Sequence, residues 1–320
     1  MGNRSWFERT LQKNISVQLV GLPYKNIKSH FGRVFVYGID PNLWQKYLIR
    51  LKVVMGIKNF LLAFQVSSEI KEIEKASLML VKGCSYKTFR ISSRRFDKSF
   101  PKTSPQVNVY IGDSVRKATG MKVQLSKPEL DLIIEIINKK SYIGMEKVEG
   151  FGGLPVGVSE KAVSLLSSGI DSPVSSFEML KRGVKLIYVH FHSAPMTSRE
   201  SIKLVERLVA VLSEYGCGSV CYQIPLLEVQ QKIMDNIPNK LWVIFFRRAM
   251  IELGCKIAKI EGGSALITGE NIGQVASQTL SNIRAAEDAS DLPIIRPLAG
   301  SNKEDIVRRA QQIGTYQISI

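Results

Sequence analysis

The 320 residues, 45% apolar and 22% charged, suffice for two or three packed domains, and the formal net charge of +16 excludes an acidic or neutral surface. No run approaches the roughly eighteen consecutive apolar residues of a membrane span, and Met1-Gly2-Asn3-Arg4-Ser5-Trp6-Phe7-Glu8 lacks the pattern of a signal peptide, so a soluble cytoplasmic protein with no membrane contact is predicted. Cys84, Cys217, Cys221 and Cys255 show no C-x-x-C spacing, which gives no disulfide scaffold, no zinc site and no metal-ligating residue; all four are read as buried thiols.

Phe7, Leu11 and Ile15 recur four apart, so a helix opens the chain, followed by a strand at Arg33–Tyr37 and a helical stretch at Tyr47–Val54. After a break at Met55-Gly56-Ile57 come an apolar run, Phe60–Val66, and a helix at Ile70–Val81. Tyr86–Ser92 alternates as an edge-capable strand and leads into a basic loop, Ser93–Lys102. Leu130–Ile137 and Tyr142–Lys147 read as a hairpin around Asn138-Lys139-Lys140, making this half α+β. The cluster Gly150-Phe151-Gly152-Gly153-Leu154-Pro155-Val156-Gly157 marks a boundary. Beyond it, strands at Ala162–Ser167, Lys185–Phe191, Ser219–Ile224 and Ala265–Thr268 alternate with helices at Pro173–Arg182, Ser201–Tyr215 and Ile244–Ile260. That alternation predicts an α/β fold with a parallel sheet wrapped by helices.

The charge is divided unevenly. Residues 1–150 carry 26 Lys and Arg against 12 Asp and Glu, whereas residues 151–320 carry 18 against 16. An excess confined to one half points to nucleic acid, with an anionic membrane surface or a plain solvated face as the alternatives. Lys87, Arg90, Arg94, Arg95, Lys98 and Lys102 are interleaved with Phe89, Phe96 and Phe100, so cations are expected to meet phosphates while rings stack on unpaired bases.

Val163-Ser164-Leu165-Leu166-Ser167-Ser168-Gly169-Ile170-Asp171-Ser172-Pro173-Val174 carries the strongest chemical signal. An apolar strand runs into small polar residues and then a helix with Pro in its first turn, offering unpaired N–H groups to an anion at a strand's carboxyl end. No Lys lies within it, unlike the common P-loop. The alternative is a tight strand-to-helix turn held by local caps.

This run resembles the S-G-G-x-D-S pyrophosphatase loop of ATP-dependent adenylating enzymes. The wider sequence resembles the 4-thiouridine synthases, or tRNA sulfurtransferases of thiamine biosynthesis, through Gly152–Gly157, His190-Phe191-His192-Ser193, Arg247-Arg248-Ala249-Met250, the Gly-rich Thr268–Thr279, Ile295-Arg296-Pro297-Leu298 and Ile313–Ile320. The resemblance implies a PP-loop domain of the adenine nucleotide α-hydrolase type at 158–320, a linker at 148–157, a THUMP RNA-binding domain at 43–147 and a partial ferredoxin-like region at 1–42. It implies that Leu165, Leu166, Ser167, Gly169, Ser172, His190, Phe191, Arg247, Gly269 and Gln278 bind ATP, with Asp171 catalytic and Mg²⁺ balancing the phosphate charge. The implied reaction adenylates uridine 8 of tRNA and replaces its O4 with sulfur from a cysteine desulfurase or other persulfide donor. A thiamine sulfur-carrier protein and a homodimer are further implied partners.

Three departures bear on activity. Ser168 stands where the family's loop has its first Gly, placing a side chain near the phosphate path. The chain begins inside what looks like the family's first helix, and it stops at Ile320 before the position of the family's sulfur-transfer cysteine, so the domain at 158–320 reads as incomplete. A tRNA-binding relative that no longer thiolates is the alternative from another functional class, and a pyrophosphatase acting on a small molecule is a third.

Overall fold

The computed structural model describes residues 3–275 and 278–320, so Ala276 and Ser277 of the Gly-rich run lie outside the described residues. The chain divides into two compact units, one formed by residues up to Val20, Val53–Ile57 and Phe151–Ile320, the other by Gly21–Lys52 and Lys58–Gly150. Helix α1 (Arg4–Gln18) belongs to the first of these.

The second unit opens with an antiparallel hairpin, β1 (Asn26–His30) and β2 (Arg33–Tyr37), followed by α2 (Trp44–Lys52) and the short β3 (Asn59–Phe60). Then come β4 (Phe64–Ser67), α3 (Ile70–Val81), β5 (Thr88–Arg95), α4 (Ser104–Thr119), β6 (Lys122–Val123), β7 (Leu130–Ile137), β8 (Lys140–Gly144) and β9 (Val148–Glu149). Five of these strands form a sheet in the order β4-β8-β7-β5-β6. Ile73, Phe89, Val107, Ile111, Leu132 and Ile134 are buried together beneath α3 and α4.

The hairpin turn is tighter than the sequence suggests. Only Asn138 and Lys139 take positive φ, 47° and 59°, and Lys140 is already in β8. Strand β5 also departs from expectation. Ser93, Arg94 and Arg95 lie in the strand, not in a loop, because they keep register with Ile134, Glu135 and Ile136 of β7. Pairing with β6 on its other side means that β5 is no edge strand where it begins. Helix α4, to which the sequence reading gives no element, starts at a capping box between Thr103 and Gln106 and ends at Gly120 in the left-handed region.

The first unit continues through β10 (Lys161–Leu165), α5 (Asp171–Lys181), β11 (Lys185–His192), α6 (Glu200–Gly216), β12 (Cys221–Pro225), α7 (Leu227–Asn236) and α8 (Trp242–Glu261). It ends with β13 (Gly263–Ile267), α9 (Leu280–Glu287), β14 (Ile294–Ile295), α10 (Lys303–Ile313) and α11 (Tyr316–Ser319). The strands form one parallel sheet in the order β12-β11-β10-β13-β14. Alternate residues face opposite cores: Ala162, Leu186, Tyr188 and Ile267 pack with α5, α6 and α10, whereas Val163, Ile187, Val189 and Leu266 pack with α8 and α9. Both faces are covered, which is why the strands read as nearly unbroken apolar runs.

The Gly-rich boundary is held in place. Leu154 N–H donates to Lys181 O at 2.9 Å and Gly157 N–H to Gly183 O at 2.8 Å. Gly153 has φ +76°, and a Cβ there would fall 2.2 Å from Lys181 O, so no other residue fits. Among the described residues no helix is long and apolar enough to cross a membrane.

Candidate functional site

The strand order reverses between β10 and β13, and in open α/β sheets that reversal leaves a crevice at the strands' carboxyl ends. A cavity of about 260 Å³ opens there. Its wall includes Leu165, Ser167, Gly169, Asp171 and Ser172 after β10, Thr268, Gly269 and Glu270 after β13, Arg247, Met250 and Ile251 from α8, and Gln278.

Small polar side chains fix the loop between β10 and α5. Ser172 Oγ accepts from Ser167 N–H at 2.9 Å and donates to Ser167 O at 3.1 Å. Ser175 Oγ donates to Thr268 O at 2.8 Å, tying α5 to the end of β13. Gly269 lies so near the start of α5 that a Cβ would fall 2.7 Å from Ser172 N. The start of α5 is therefore pinned beside the cavity, against the end of β13, with its position set beforehand.

Charge in the cavity is paired. Asp171 Oδ1 accepts from Lys303 Nζ at 2.7 Å and its Oδ2 from Gln274 Nε2 at 3.4 Å. Glu270 contacts the Arg247 guanidinium and accepts from Arg296 Nε at 2.7 Å. Burial and the neighbouring Arg296 charge push the Arg247 guanidinium below its ordinary value, though an arginine stays charged at physiological pH. Gln278 Oε1 is buried without a partner among the described residues, an acceptor available to a ligand donor. Also among these residues, no three His, Cys, Asp or Glu side chains converge as a metal site would require.

Three residues expected at the nucleotide do not line this cavity. The Leu166 side chain is buried in the core under α5, and Phe191 packs against the core on the opposite face of the sheet. His190, 5% exposed, donates from Nδ1 to Leu166 O at 2.9 Å, while its Nε2 is buried without a partner. Burial holds the imidazole below its ordinary range. Ser168 is half-buried and is not part of the cavity wall. Met250, Ile251, Thr268, Glu270 and Lys303 were not foreseen; the first two follow Arg247 at helical spacing, but Lys303 comes from 132 residues beyond Asp171 with no local signal.

Only Cys255 is buried; the other three cysteines are half-buried, a correction to the sequence reading. Burial raises the Cys217 thiol and pushes Cys221 up to about 11, so neither is a ready thiolate.

In the other unit, an open cleft of about 550 Å³ is lined by Arg33, Arg90, Arg94, Lys147 and Glu135. Arg33 forks onto Glu135 and Arg90 pairs with Asp131, leaving Arg94 exposed over the Phe96 ring at 4.7 Å. Arg95 donates to Phe100 O at 2.8 Å and Lys102 lies 5.6 Å from the Tyr110 ring, whereas Lys87 and Lys98 are exposed. The stacking role expected of the phenylalanines fails. Phe89 and Phe100 are core residues at 0% and 6% exposure, and Phe96 is flanked by Arg33 and Arg94. Rings do line an adjoining cavity of about 330 Å³, among them Phe35, Tyr37, Trp44, Phe60 and Tyr142.

Residues 157–320 match the family model for Thiamine biosynthesis protein (ThiI), residues 66–146 the THUMP domain and residues 1–60 the ThiI ferredoxin-like domain. A probable tRNA sulfurtransferase of Caldanaerobacter subterraneus subsp. tengcongensis is 40% identical over 319 residues, 99% of this chain and 83% of the relative. Another, from Anoxybacillus flavithermus, is 39% identical over 99% of this chain and 81% of its own length. A crystal structure of a 4-thiouridine synthetase and RNA complex with bound ATP superposes with a TM-score of 0.90 at 37% identity, covering 100% of this chain and 83% of that one. A Pyrococcus horikoshii protein gives 0.79 at 26% identity, covering 97% and 94%.

Proposed function

The chain belongs to the ThiI family of tRNA sulfurtransferases, and from that premise we propose that it converts uridine 8 of tRNA to 4-thiouridine at the expense of ATP. The observation that carries the reading is the prearranged anion site between β10 and β13, joined to a wall that supplies Arg247 as countercharge and Gln278 Oε1 as an unpartnered acceptor. These groups fit a nucleotide. Residues 158–320 serve as the PP-loop domain and 43–147 as the THUMP domain.

When bound, ATP would supply an adenylyl group to the uridine O4 with release of pyrophosphate. The outer sulfur of a donor persulfide would then displace AMP from C4, and a second thiol of the donor system would break the remaining S–S bond to leave 4-thiouridine and a disulfide. The chain's own part is positioning and charge. The start of α5 and the loop from Ser167 to Gly169 surround the pyrophosphate portion, Arg247 balances its charge, and the Lys303–Asp171 pair orders the loop. With Oδ1 held by Lys303, Asp171 Oδ2, whose contact with Gln274 is long at 3.4 Å, is the oxygen that would reach Mg²⁺ carried in on the phosphates, where the ion would neutralise charge. His190 holds the Leu166 carbonyl at the start of the loop.

Delivery of the sulfur as a persulfide by a cysteine desulfurase or other donor belongs to the proposal. Transfer to a thiamine sulfur-carrier protein belongs to the same proposal. The tRNA is gripped by phosphate contacts at Arg94, Lys87 and Lys98, with the aromatic cavity beside the cleft taking an unpaired base. A homodimer is supported by α7, which has no buried residue despite carrying Leu227, Val229, Ile233 and Met234, and by α8, which buries none before Ile251.

Mass spectrometry of tRNA nucleosides after incubation with ATP, Mg²⁺ and a persulfide donor tests the reading. Release of AMP with a sulfur-for-oxygen mass change is expected. Absence of both in protein that still shifts tRNA on a gel would identify an RNA holder without chemistry. AMP formation that needs no tRNA and survives Arg94→Ala would identify a small-molecule pyrophosphatase.

A further inference from the structure

Arg296 lies in Ile295-Arg296-Pro297-Leu298, a motif for which the nucleotide reading supplies no role. Strand β14 ends beside β13, so Arg296 leaves the sheet next to Glu270 without lining the cavity itself. Its Nε–H donates to Glu270 Oε2 at 2.7 Å, and NH1 reaches Glu287 Oε2 at 3.1 Å and Ile294 O at 3.4 Å. The other Glu270 oxygen meets Arg247, while Thr268 Oγ1 donates to Oε2 at 3.0 Å. Side-chain exposures of 17%, 14% and 14% for Arg247, Glu270 and Arg296 place the trio largely out of water, where such charges act strongly on one another.

The arrangement presents a problem for an anion site. Glu270 is a carboxylate in the cavity wall and repels phosphate, and if Arg247 were its sole guanidinium partner, the pair would be neutral with no attraction left over. A second guanidinium makes the trio net positive. We propose that Arg296 is a positioning residue that neutralises Glu270 from outside the cavity, so that Arg247 retains its positive charge for the ligand's phosphates. Glu287 pairs with Arg296 as well but is 43% exposed, so solvent screening lets it offset the guanidinium only in part. The inference rests on the nucleotide-binding reading and concerns affinity for the anionic portion of the ligand.

The test is calorimetry on the full chain with ATP, AMP and inorganic pyrophosphate, using Arg296→Met, Glu270→Gln, the double variant and Arg296→Lys. Arg296→Met is expected to weaken ATP and pyrophosphate about tenfold and AMP less, because the loss scales with ligand charge. Adding Glu270→Gln is expected to restore most of the ATP affinity, since the charge needing neutralisation is gone. Glu270→Gln alone is expected to tighten ATP binding, because the repelling carboxylate is gone, and Arg296→Lys to stay within about threefold of the parent. If the double variant is no better than Arg296→Met, or AMP and ATP weaken equally, Arg296 acts only through local structure and the inference falls. Should Arg296→Met fail to fold, the other single variants decide: failure of Glu270→Gln to tighten ATP, or tenfold weakening by Arg296→Lys, overturns it, and tightening in the first with retention in the second supports it. A parent protein that binds no nucleotide would instead refute the proposed function.

Discussion

Replacing Gly269 by Ala is the sharpest perturbation the site offers. The new Cβ would fall 2.7 Å from Ser172 N, 2.8 Å from Ser172 Cα and 3.0 Å from Asp171 C. Ordinary contact begins near 3.4 Å, so backbone must move by about 0.7 Å. No flexible side chain can yield, because the obstacle is the first turn of α5, pinned by the Ser172 bonds to Ser167 and by Ser175 to Thr268. Overpacking of this kind costs about 1–3 kcal/mol, or about 4–8 °C in Tm for 2 kcal/mol. A displacement approaching 1 Å at a phosphate cradle costs about 100-fold in turnover. Gly169→Ala is the control, since its Cβ would meet only Ser167 Oγ at 3.6 Å and Tm should change by less than about 1 °C. Thermal unfolding, ATP calorimetry and tRNA thiolation read the two variants. A Gly269→Ala protein with parental Tm, affinity and turnover would refute the close-approach argument.

Further outcomes follow from the same geometry. Lys303→Met should leave Tm within about 2 °C, because its pair with Asp171 is half-exposed, yet lower thiolation at least about tenfold by releasing the loop. Arg94→Ala should weaken tRNA binding and reduce the salt dependence by about one phosphate contact without loss of Tm, whereas Arg95→Ala should lower Tm by leaving Phe100 O and Lys102 O unpaired; gel shifts across a salt series and unfolding scans separate the two. His190 has its folded value depressed below the ordinary 6.5, so its neutral form stabilises the fold fully above pH 6.5 and that contribution is lost as pH falls below it. His190→Gln should therefore flatten Tm between pH 6.5 and 5 relative to the parent, and an unchanged slope would show that the imidazole does not titrate with unfolding.

The C-terminal half was legible because its signals are local. Apolar runs such as Leu186–Val189 give buried parallel strands, and the Ser-Gly-Asp segment after Leu165 gives a strand-to-helix turn directly. Short elements were missed where periodicity is brief: β14 has two residues, and α9 eight. Helix α4 carries a legible capping box, Thr103 to Gln106, passed over because the basic residues before it read as loop. At the site, contacts made by distant segments were invisible, as with Lys303 on Asp171 and Arg296 on Glu270. Alternation also misleads when both sheet faces matter: Phe89 and Arg90 are neighbours in sequence, but one enters the core and the other faces the cleft.

Titration of ATP into the full chain by calorimetry, with Mg²⁺ present, bears most directly on the anion site between β10 and β13. One saturable event at or below roughly millimolar concentration, lost in Gly269→Ala and retained in Lys87→Ala, is the expected result. No heat of binding from folded protein at millimolar ATP, or uptake untouched by Gly269→Ala, would contradict it.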